Sequence, residues 1–398
     1  MTMIPDRRNL AKLGLALGGG GTRGAFEIGA WKAFLELGIE FAAITGTSIG
    51  AINGALMLSC GYERALELWQ NLNYEQCLAF SAPLELKSSD LLALKNSDIL
   101  AKEILAQGGL DTGPLRELLQ DYIDEQAIRS HPVRYGLLTV QLNDLKAEPR
   151  WIEDIPAGQL IDFIMASAHL PGLQPVQIDG KRYLDGGFAE NVPVSMLRRQ
   201  GFRHLVAVDL EPRVSVRRPV DDNTQLTLIH DPQDLGSLLD LDPVLIRRNQ
   251  ALGYLDAMKA FDRLNGDYYA FAPDDHARLL RDYGPDLLSG FEQAALAFEL
   301  DRSRMYAADD FLAQVRSLHL TARQHYEQRR QELQVESKLA AITGGSLRAL
   351  RMQPAMRLEF LAELSTSLEP GKHPLKIPLK LFPNLNWTAK ALQQLDSL

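Results

Sequence analysis

Residues 13–50 read LGLALGGGGTRGAFEIGAWKAFLELGIEFAAITGTSIG. Leu13 to Leu17 is a short apolar run, the pattern of a buried strand. It ends in four glycines, Gly18 to Gly21. From Gly24 to Gly38, Phe26, Ala30, Ala33, Phe34 and Leu37 recur at helical spacing, and Gly38 suits the C-terminal end of that helix. Phe41 to Thr45 predicts a second strand. Ser48 follows in the turn Gly46-Thr47-Ser48-Ile49-Gly50, and a second helix is predicted from Ala51 to Ser59. Strand, glycine loop, helix, strand, sharp turn and helix in that order open a parallel α/β sheet covered on both faces.

Further along, Tyr135–Leu142 and His204–Leu210 read as strands, the second ending in Asp209. Ile178 to Asp185 reads as a hairpin turning at Asp179-Gly180. Residues 62–128 are helix-rich by pattern, with a polar patch near Ser88-Ser89-Asp90. Residues 211–243 are expected to form an exposed connection, on the strength of Arg217-Arg218-Pro219 and the acids Asp221, Asp222, Asp231, Asp234, Asp240 and Asp242. From about 245 the chain is mainly helical, most clearly over Leu287–Leu300 and Ala322–Ile342, until Gly344-Gly345 breaks the pattern. Lys372, Lys376 and Lys380 stand among apolar residues near the end, where Pro374 and Pro378 forbid a regular helix. That stretch suits a lipid surface or an ordinary packed tail with snorkelling lysines.

At 398 residues, with 46% hydrophobic and 23% charged residues, the chain has the balance of a soluble globular protein. A formal charge of -9 gives a nucleic-acid partner no global support. Cys60 and Cys77 make neither a disulfide framework nor a metal spacing. They read as reduced thiols. No stretch approaches the ~20 apolar residues of a membrane span, and Leu13–Leu17 is too short for a signal-peptide core. The expectation is a cytoplasmic protein that touches a membrane only from outside.

Three constellations carry chemistry. Gly18 to Gly24, between a strand and a helix, offers bare N–H groups beside the positive end of a helix, suited to a phosphate or a developing oxyanion. Gly19-x-Gly21-x-x-Gly24 also matches a dinucleotide fingerprint. That alternative calls for an acid closing the second strand, where this chain has Thr45-Gly46. Gly46 to Gly50 is a G-x-S-x-G nucleophile elbow that would present Ser48; a capping serine on a tight turn is the plain alternative. Ser48 needs a base. The eight histidines, His131, His169, His204, His230, His276, His319, His325 and His373, sit in no evident motif. Asp185-Gly186-Gly187, at the end of the hairpin, offers a carboxylate instead.

Together these motifs resemble the patatin-like phospholipases, bacterial members in particular. The matching text is Gly19-Gly20-Gly21-Thr22-Arg23-Gly24, Gly46 to Gly50 extended by Ala51-Ile52-Asn53-Gly54-Ala55, Ala166 to Gly172, Asp185-Gly186-Gly187, and Asn191 to Val194. The resemblance is specific over about 13–210. It fades through Arg248 to Phe271, which resembles a helix and strand closing the domain. It implies a three-layer α/β/α fold with a mainly parallel central sheet over residues 10–275, followed by a helical C-terminal region, 276–398. It implies a Ser48–Asp185 dyad without histidine, an oxyanion hole from Gly19, Gly20 and Gly21, and no metal or cofactor. Phospholipids, lysophospholipids or similar esters would be the substrates. Arg23 is expected to steady the glycine loop or to meet a lipid phosphate, against the plain alternative of a surface salt bridge.

Overall fold

The computed structural model describes residues 13–79, 108–216, 223–330, 355, 358–359 and 383–397. The chain divides into two compact units, the first ending at Asp262 and the second starting at Arg263. The first contains β1 (Leu13–Leu17), a 3-10 turn (Gly21–Gly24), α1 (Ala25–Leu37), β2 (Ala43–Thr47), α2 (Ile49–Ser59) and α3 (Tyr62–Asn71). It continues with α4 (Gly113–Tyr122), α5 (Glu125–Ser130), β3 (Arg134–Gln141), β4 (Lys146–Trp151), α6 (Leu160–Ser167), β5 (Gln177–Ile178) and β6 (Lys181–Asp185). Last come α7 (Val194–Arg199), β7 (His204–Asp209), β8 (Gln225–His230) and α8 (Pro243–Ala260).

β2, β1, β7 and β8 run parallel to one another and to β3, in the order β3-β2-β1-β7-β8. Alternation along the strands splits their side chains between two cores. Leu13, Leu15, Leu17, Ile44, Leu137, Val206 and Val208 face one core with α1, α2 and α8. Ala16, Ala43, Leu138, Leu205 and Ala207 face a second with Met196 and Leu197 of α7. The three-layer α/β/α architecture follows from this two-sided burial. Small residues bring α7 close: a Cβ on Gly14 would lie 3.0 Å from Leu197 Cδ1.

β2 runs two residues beyond the expected Thr45, because its ladder with β3 continues to Thr47 opposite Leu138. The hairpin turn matches expectation, with Asp179 and Gly180 at φ 49 and 77. Residues 211–243 differ from the exposed connection expected of them. They hold β8, a partly buried edge strand whose alternation the surrounding charges obscure. The acids there close turns: Asp231, Asp234 and Asp240 accept the N–H groups of Gln233, Gly236 and Asp242, and Asp242 caps α8 through Val244 N–H. β4 is a further unanticipated strand. It lies on the outside of β3, where Pro149 is tolerated.

The second unit contains β9 (Ala270–Phe271), α9 (Pro273–Ala297), β10 (Met305–Tyr306), α10 (Ala308–Arg330) and α11 (Pro383–Ser397). α9 kinks at Gly284, φ 77, just before Pro285. Tyr269, Phe271, Phe291, Tyr306 and Phe311 are fully buried in this unit's own core. The unit starts ahead of the expected 275/276 boundary because Phe271 pairs with Tyr306 and enters that core. The strand expected to close the first domain therefore belongs to the second unit. Lys372, Lys376, Lys380, Ser88-Ser89-Asp90, Arg217-Arg218-Pro219 and Gly344-Gly345 lie outside the described residues. Among the described residues no helix is long and apolar enough to cross a membrane.

α1 and α8 meet through two glycines. A Cβ on Gly29 would lie 1.8 Å from the Gln250 carbonyl oxygen, and one on Gly253 would lie 1.9 Å from that of Phe26. Neither backbone oxygen can move without shifting its helix. Gly29→Ala and Gly253→Ala are each expected to cost about 1–3 kcal/mol by overpacking. Urea unfolding followed by tryptophan fluorescence checks this, and an unchanged midpoint would remove the close crossing as a source of stability.

Candidate active site

Ser48 is the first residue beyond β2 and the N-cap of α2, at φ 55 and ψ -123. A serine with positive φ is strained, and the bend has no room for neighbouring side chains. A Cβ on Gly46 would lie 2.2 Å from Gly50 O, and one on Gly50 would lie 2.4 Å from Leu17 O. The bend is also pinned from outside. Ser48 N–H donates to Ser167 Oγ at 3.0 Å, and Ser167 Oγ donates to Leu138 O at 2.8 Å. Ser48 is 6% exposed, at the positive end of α2.

β3 delivers the second group. Thr139 pairs with Glu148 of β4 and also with Asp185 of β6. A strand has two edges, so β6 must share the other edge of β3 with β2. β2 ends at Thr47 opposite Leu138, and β6 arrives antiparallel with Asp185 opposite Thr139. The two strands meet end to end on consecutive residues of β3, which brings Asp185 to Ser48 across 137 positions of sequence (185 − 48). Gly186 lets the chain turn away: a Cβ there would lie 2.1 Å from Leu138 O and 3.0 Å from Thr47 Cγ2.

Asp185 is 4% exposed. Its Oδ1 accepts Gly187 N–H at 2.7 Å, while Oδ2 has no partner of good hydrogen-bond geometry. Burial raises the carboxyl above the usual aspartate range, opposed by the Ser48 hydroxyl, Gly187 N–H and the nearby His169 ring. His169 is the histidine the fold brings here. Its carbonyl accepts Asp185 N–H at 2.9 Å, and its Nε2 contacts Leu173 O at 3.3 Å rather than Ser48.

The glycine loop lies against the same serine, since a Cβ on Gly19 would lie 3.3 Å from Ser48 Cβ. Its N–H groups are not equivalent. Gly19 N–H donates to Asn191 O at 3.0 Å, and Asn191 Nδ2 returns a bond to Gly19 O at 3.1 Å. That corrects the expectation that Gly19 offers a free donor alongside Gly20 and Gly21. No hydrogen bond engages Gly20 or Gly21 N–H among the described residues. Thr22 N–H is taken by Leu238 O at 2.9 Å. Arg23 is directed to the protein: its Nε donates to Gly236 O at 2.7 Å, and Glu211 lies 3.4 Å from Nη1. It ties the glycine loop to the segment after β8 and also forms ion pairs with Glu211 and Asp234. A pyrophosphate would find two of the loop's donors, on Gly19 and Thr22, already used, and no acid closes β2. The dinucleotide alternative therefore lacks both its cradle and its ribose contact. Among the described residues no group of three His, Cys, Asp or Glu side chains is arranged to hold a metal ion.

The family model for patatin-like phospholipases matches residues 15–198. That stretch is a patatin-like phospholipase domain. The matched stretch takes in the glycine loop, the elbow, Ser167 and Asp185. A neuropathy target esterase of Drosophila melanogaster is 30% identical over 201 residues, 50% of this chain and 13% of that protein. A lysophospholipase of Aspergillus terreus is 30% identical over 228 residues, 57% of this chain and 13% of that protein. An uncharacterized NTE family protein of Mycobacterium tuberculosis is 28% identical over 200 residues, 50% of this chain and 49% of that protein. The chain thus spans half or less of the length of these relatives. The solved structure of VipD from Legionella pneumophila overlaps 92% of this chain and 93% of its own, at TM-score 0.38 and 14% identity, too remote to carry an argument.

Within this patatin-like domain, sequence reasoning assigned no role to Ser167 or Asn191. Both lie in text quoted for the resemblance, yet nothing in the sequence says that one holds Ser48 N–H and the other braces Gly19. Ser167→Ala leaves Ser48 N–H buried without a partner and removes the hydroxyl bond to the Leu138 carbonyl. The expected cost is about 1–3 kcal/mol of stability, together with slower labelling of Ser48 by a fluorophosphonate. A melting temperature and labelling rate equal to wild type would show that the pin is dispensable.

Proposed function

We propose that this protein is a serine lipid acyl hydrolase that cleaves carboxylic ester bonds of phospholipids or lysophospholipids. The observation that carries this reading is the end-to-end meeting of β2 and β6, which brings Ser48 to the buried carboxyl of Asp185, whose Oδ2 has no partner of good hydrogen-bond geometry. Ser48 Oγ attacks the ester carbonyl carbon while its proton passes to Asp185 Oδ2. The carbonyl oxygen becomes an oxyanion that the Gly20 and Gly21 N–H groups stabilise, supported by the start of α2, each donor worth about 3 kcal/mol in comparable sites. Collapse breaks the ester bond, and the departing alcohol takes the proton from Asp185. Water then attacks the acyl-Ser48 carbonyl, giving its proton to Asp185. The fatty acid leaves as Ser48 recovers a proton.

Oδ1, held by Gly187 N–H, orients the carboxylate so that Oδ2 serves as the base. A carboxylate is weak for this purpose, and burial strengthens it by raising its proton affinity. No group need sit between the two residues, so the dyad has no call for a histidine. The printed functions of the relatives, an esterase and a lysophospholipase, support an ester of a lipid as substrate. Such a substrate implies at least a passing, peripheral contact with a lipid surface.

Release of fatty acid from mixed phospholipid and lysophospholipid vesicles is the direct test. Wild type is expected to release it, with Ser48→Ala and Asp185→Asn each reduced by roughly a thousandfold or more. Activity of Asp185→Asn near wild type would end the dyad. The rate should also climb with pH as Asp185 ionises, with an apparent pKa above the ordinary aspartate range because burial raises it. A rate independent of pH from 4 to 7 would exclude Asp185 as the base.

A further inference from the structure

Glu27, on the first turn of α1, is a buried carboxyl that the reaction above does not use. It is 2% exposed and lies in the apolar layer between α1, α2 and α3. Asn53 of α2 spans the region behind the glycine loop: its Nδ2 donates to Glu27 Oε2 at 2.7 Å and to Gly24 O at 3.0 Å. Its orientation is fixed, because Trp69 Nε1 of α3 donates to Asn53 Oδ1 at 3.0 Å and an indole N–H can only donate. Glu27 Oε2 must therefore accept. Any proton on the carboxyl sits on Oε1, which has no partner of good hydrogen-bond geometry.

Among the described residues no cation is paired with this group. α2 carries no ionisable side chain between Ile49 and Ser59. Arg23 of the glycine loop turns to Gly236 O, and Arg64 of α3 turns to Asp121 O. Tyr254 of α8 bonds Glu36, and Asp256 and Lys259 of α8 pair with each other. Glu63 and Glu67 of α3 are exposed. Burial pushes the Glu27 carboxyl up to about 8, with Asn53 and the Gly18 backbone opposing. Gly18 leads directly into Gly19–Gly21.

We propose that Glu27 is a positioning residue of this site, a neutral carboxylic acid that ties the glycine loop to α2 and must stay uncharged for the oxyanion to form. The inference rests on the hydrolase reading above. Neutral Glu27 accepts from Asn53, and Asn53 holds the Gly24 carbonyl at the end of the loop. When Glu27 ionises, a negative charge in a dry, low-dielectric layer stands behind the N–H groups that receive the developing oxyanion. It opposes that charge where screening is weakest. Asp185 needs its proton off and Glu27 needs its proton on. Activity is therefore confined between the two ionisations.

The experiment measures kcat/KM for p-nitrophenyl butyrate and the rate of Ser48 labelling by a fluorophosphonate, from pH 6 to 10. It compares wild type, Glu27→Gln and Glu27→Ala, with far-UV circular dichroism reporting the fold at each pH. Wild type is expected to lose activity roughly tenfold per pH unit above about 8 while its circular dichroism stays constant. Glu27→Gln, which keeps the acceptor and cannot ionise, is expected within about threefold of wild type at pH 7, without the alkaline loss. Glu27→Ala, which removes the acceptor, is expected to fall at least about tenfold at pH 7. An alkaline loss that persists in Glu27→Gln, or a wild-type rate that stays level to pH 10, overturns the proposal while leaving the dyad intact. A wild type that hydrolyses the ester at no pH and is never labelled at Ser48 removes the hydrolase reading, and this inference with it.

Discussion

The site depends on how one edge of β3 is shared. β2 occupies it as far as Leu138, and β6 occupies it from Thr139 onward. A shift of one residue in the β6 register would turn the Asp185 side chain to the opposite face of the sheet, because strand side chains alternate with period 2, and a shift of β2 would carry Ser48 away from it. Both registers are held by burial rather than by local propensity. On β3, Tyr135 and Leu137 enter one core while Leu138 enters the other. The outer edge of β3 is covered by β4, so the strand cannot slide without breaking two ladders at once. Ser48 and Asp185 are thus set against each other by backbone pairing. Neither side chain has to reach far.

Around that junction the backbone is tied by single polar side chains from distant parts of the chain. Ser167 holds Ser48 N–H, Asn191 holds both backbone groups of Gly19, and Arg23 reaches the Gly236 carbonyl. Each bond satisfies a group that would otherwise be buried unpaired, which is where a hydrogen bond counts most. A second effect follows. With those N–H groups consumed by the scaffold, the N–H groups of Gly20 and Gly21 have no partner among the described residues. Rigid, prepaid donors of this kind act on charge that develops during reaction, since they need no reorganisation when it appears.

The same economy of solvent explains the two unusual carboxyls. Asp185 and Glu27 are both raised by burial, but they face different neighbours. Asp185 has the Ser48 hydroxyl, Gly187 N–H and a histidine ring to favour its anion. Glu27 is wrapped by helices and, among the described residues, has no ionisable partner in contact. Two acids of the same chemistry are given different environments, and in the proposed mechanism one serves as a base while the other stays an acid.

Much of this was legible in the chain. The apolar run at Leu13–Leu17, the helical spacing of Phe26, Ala30 and Phe34, and the glycines flanking Ser48 are local patterns. Local patterns specify elements because strand and helix periodicity is a property of the backbone. β8 was hidden by the charges around it, since an edge strand carries a weak apolar signal. The unit boundary was misplaced because a two-residue strand, Ala270–Phe271, has no periodicity to read. Nothing in the spacing around it marks Glu27 as buried, and nothing marks Gly19 apart from its neighbouring glycines. The α/β order, the elbow and the acid in its turn can be read from local residue spacing. That β2 and β6 meet end to end, which loop N–H groups stay open, and which carboxyl lies away from water depend on long-range packing. Those are matters of what packs against what, and burial and pairing between distant residues leave no mark on the spacing of nearby ones.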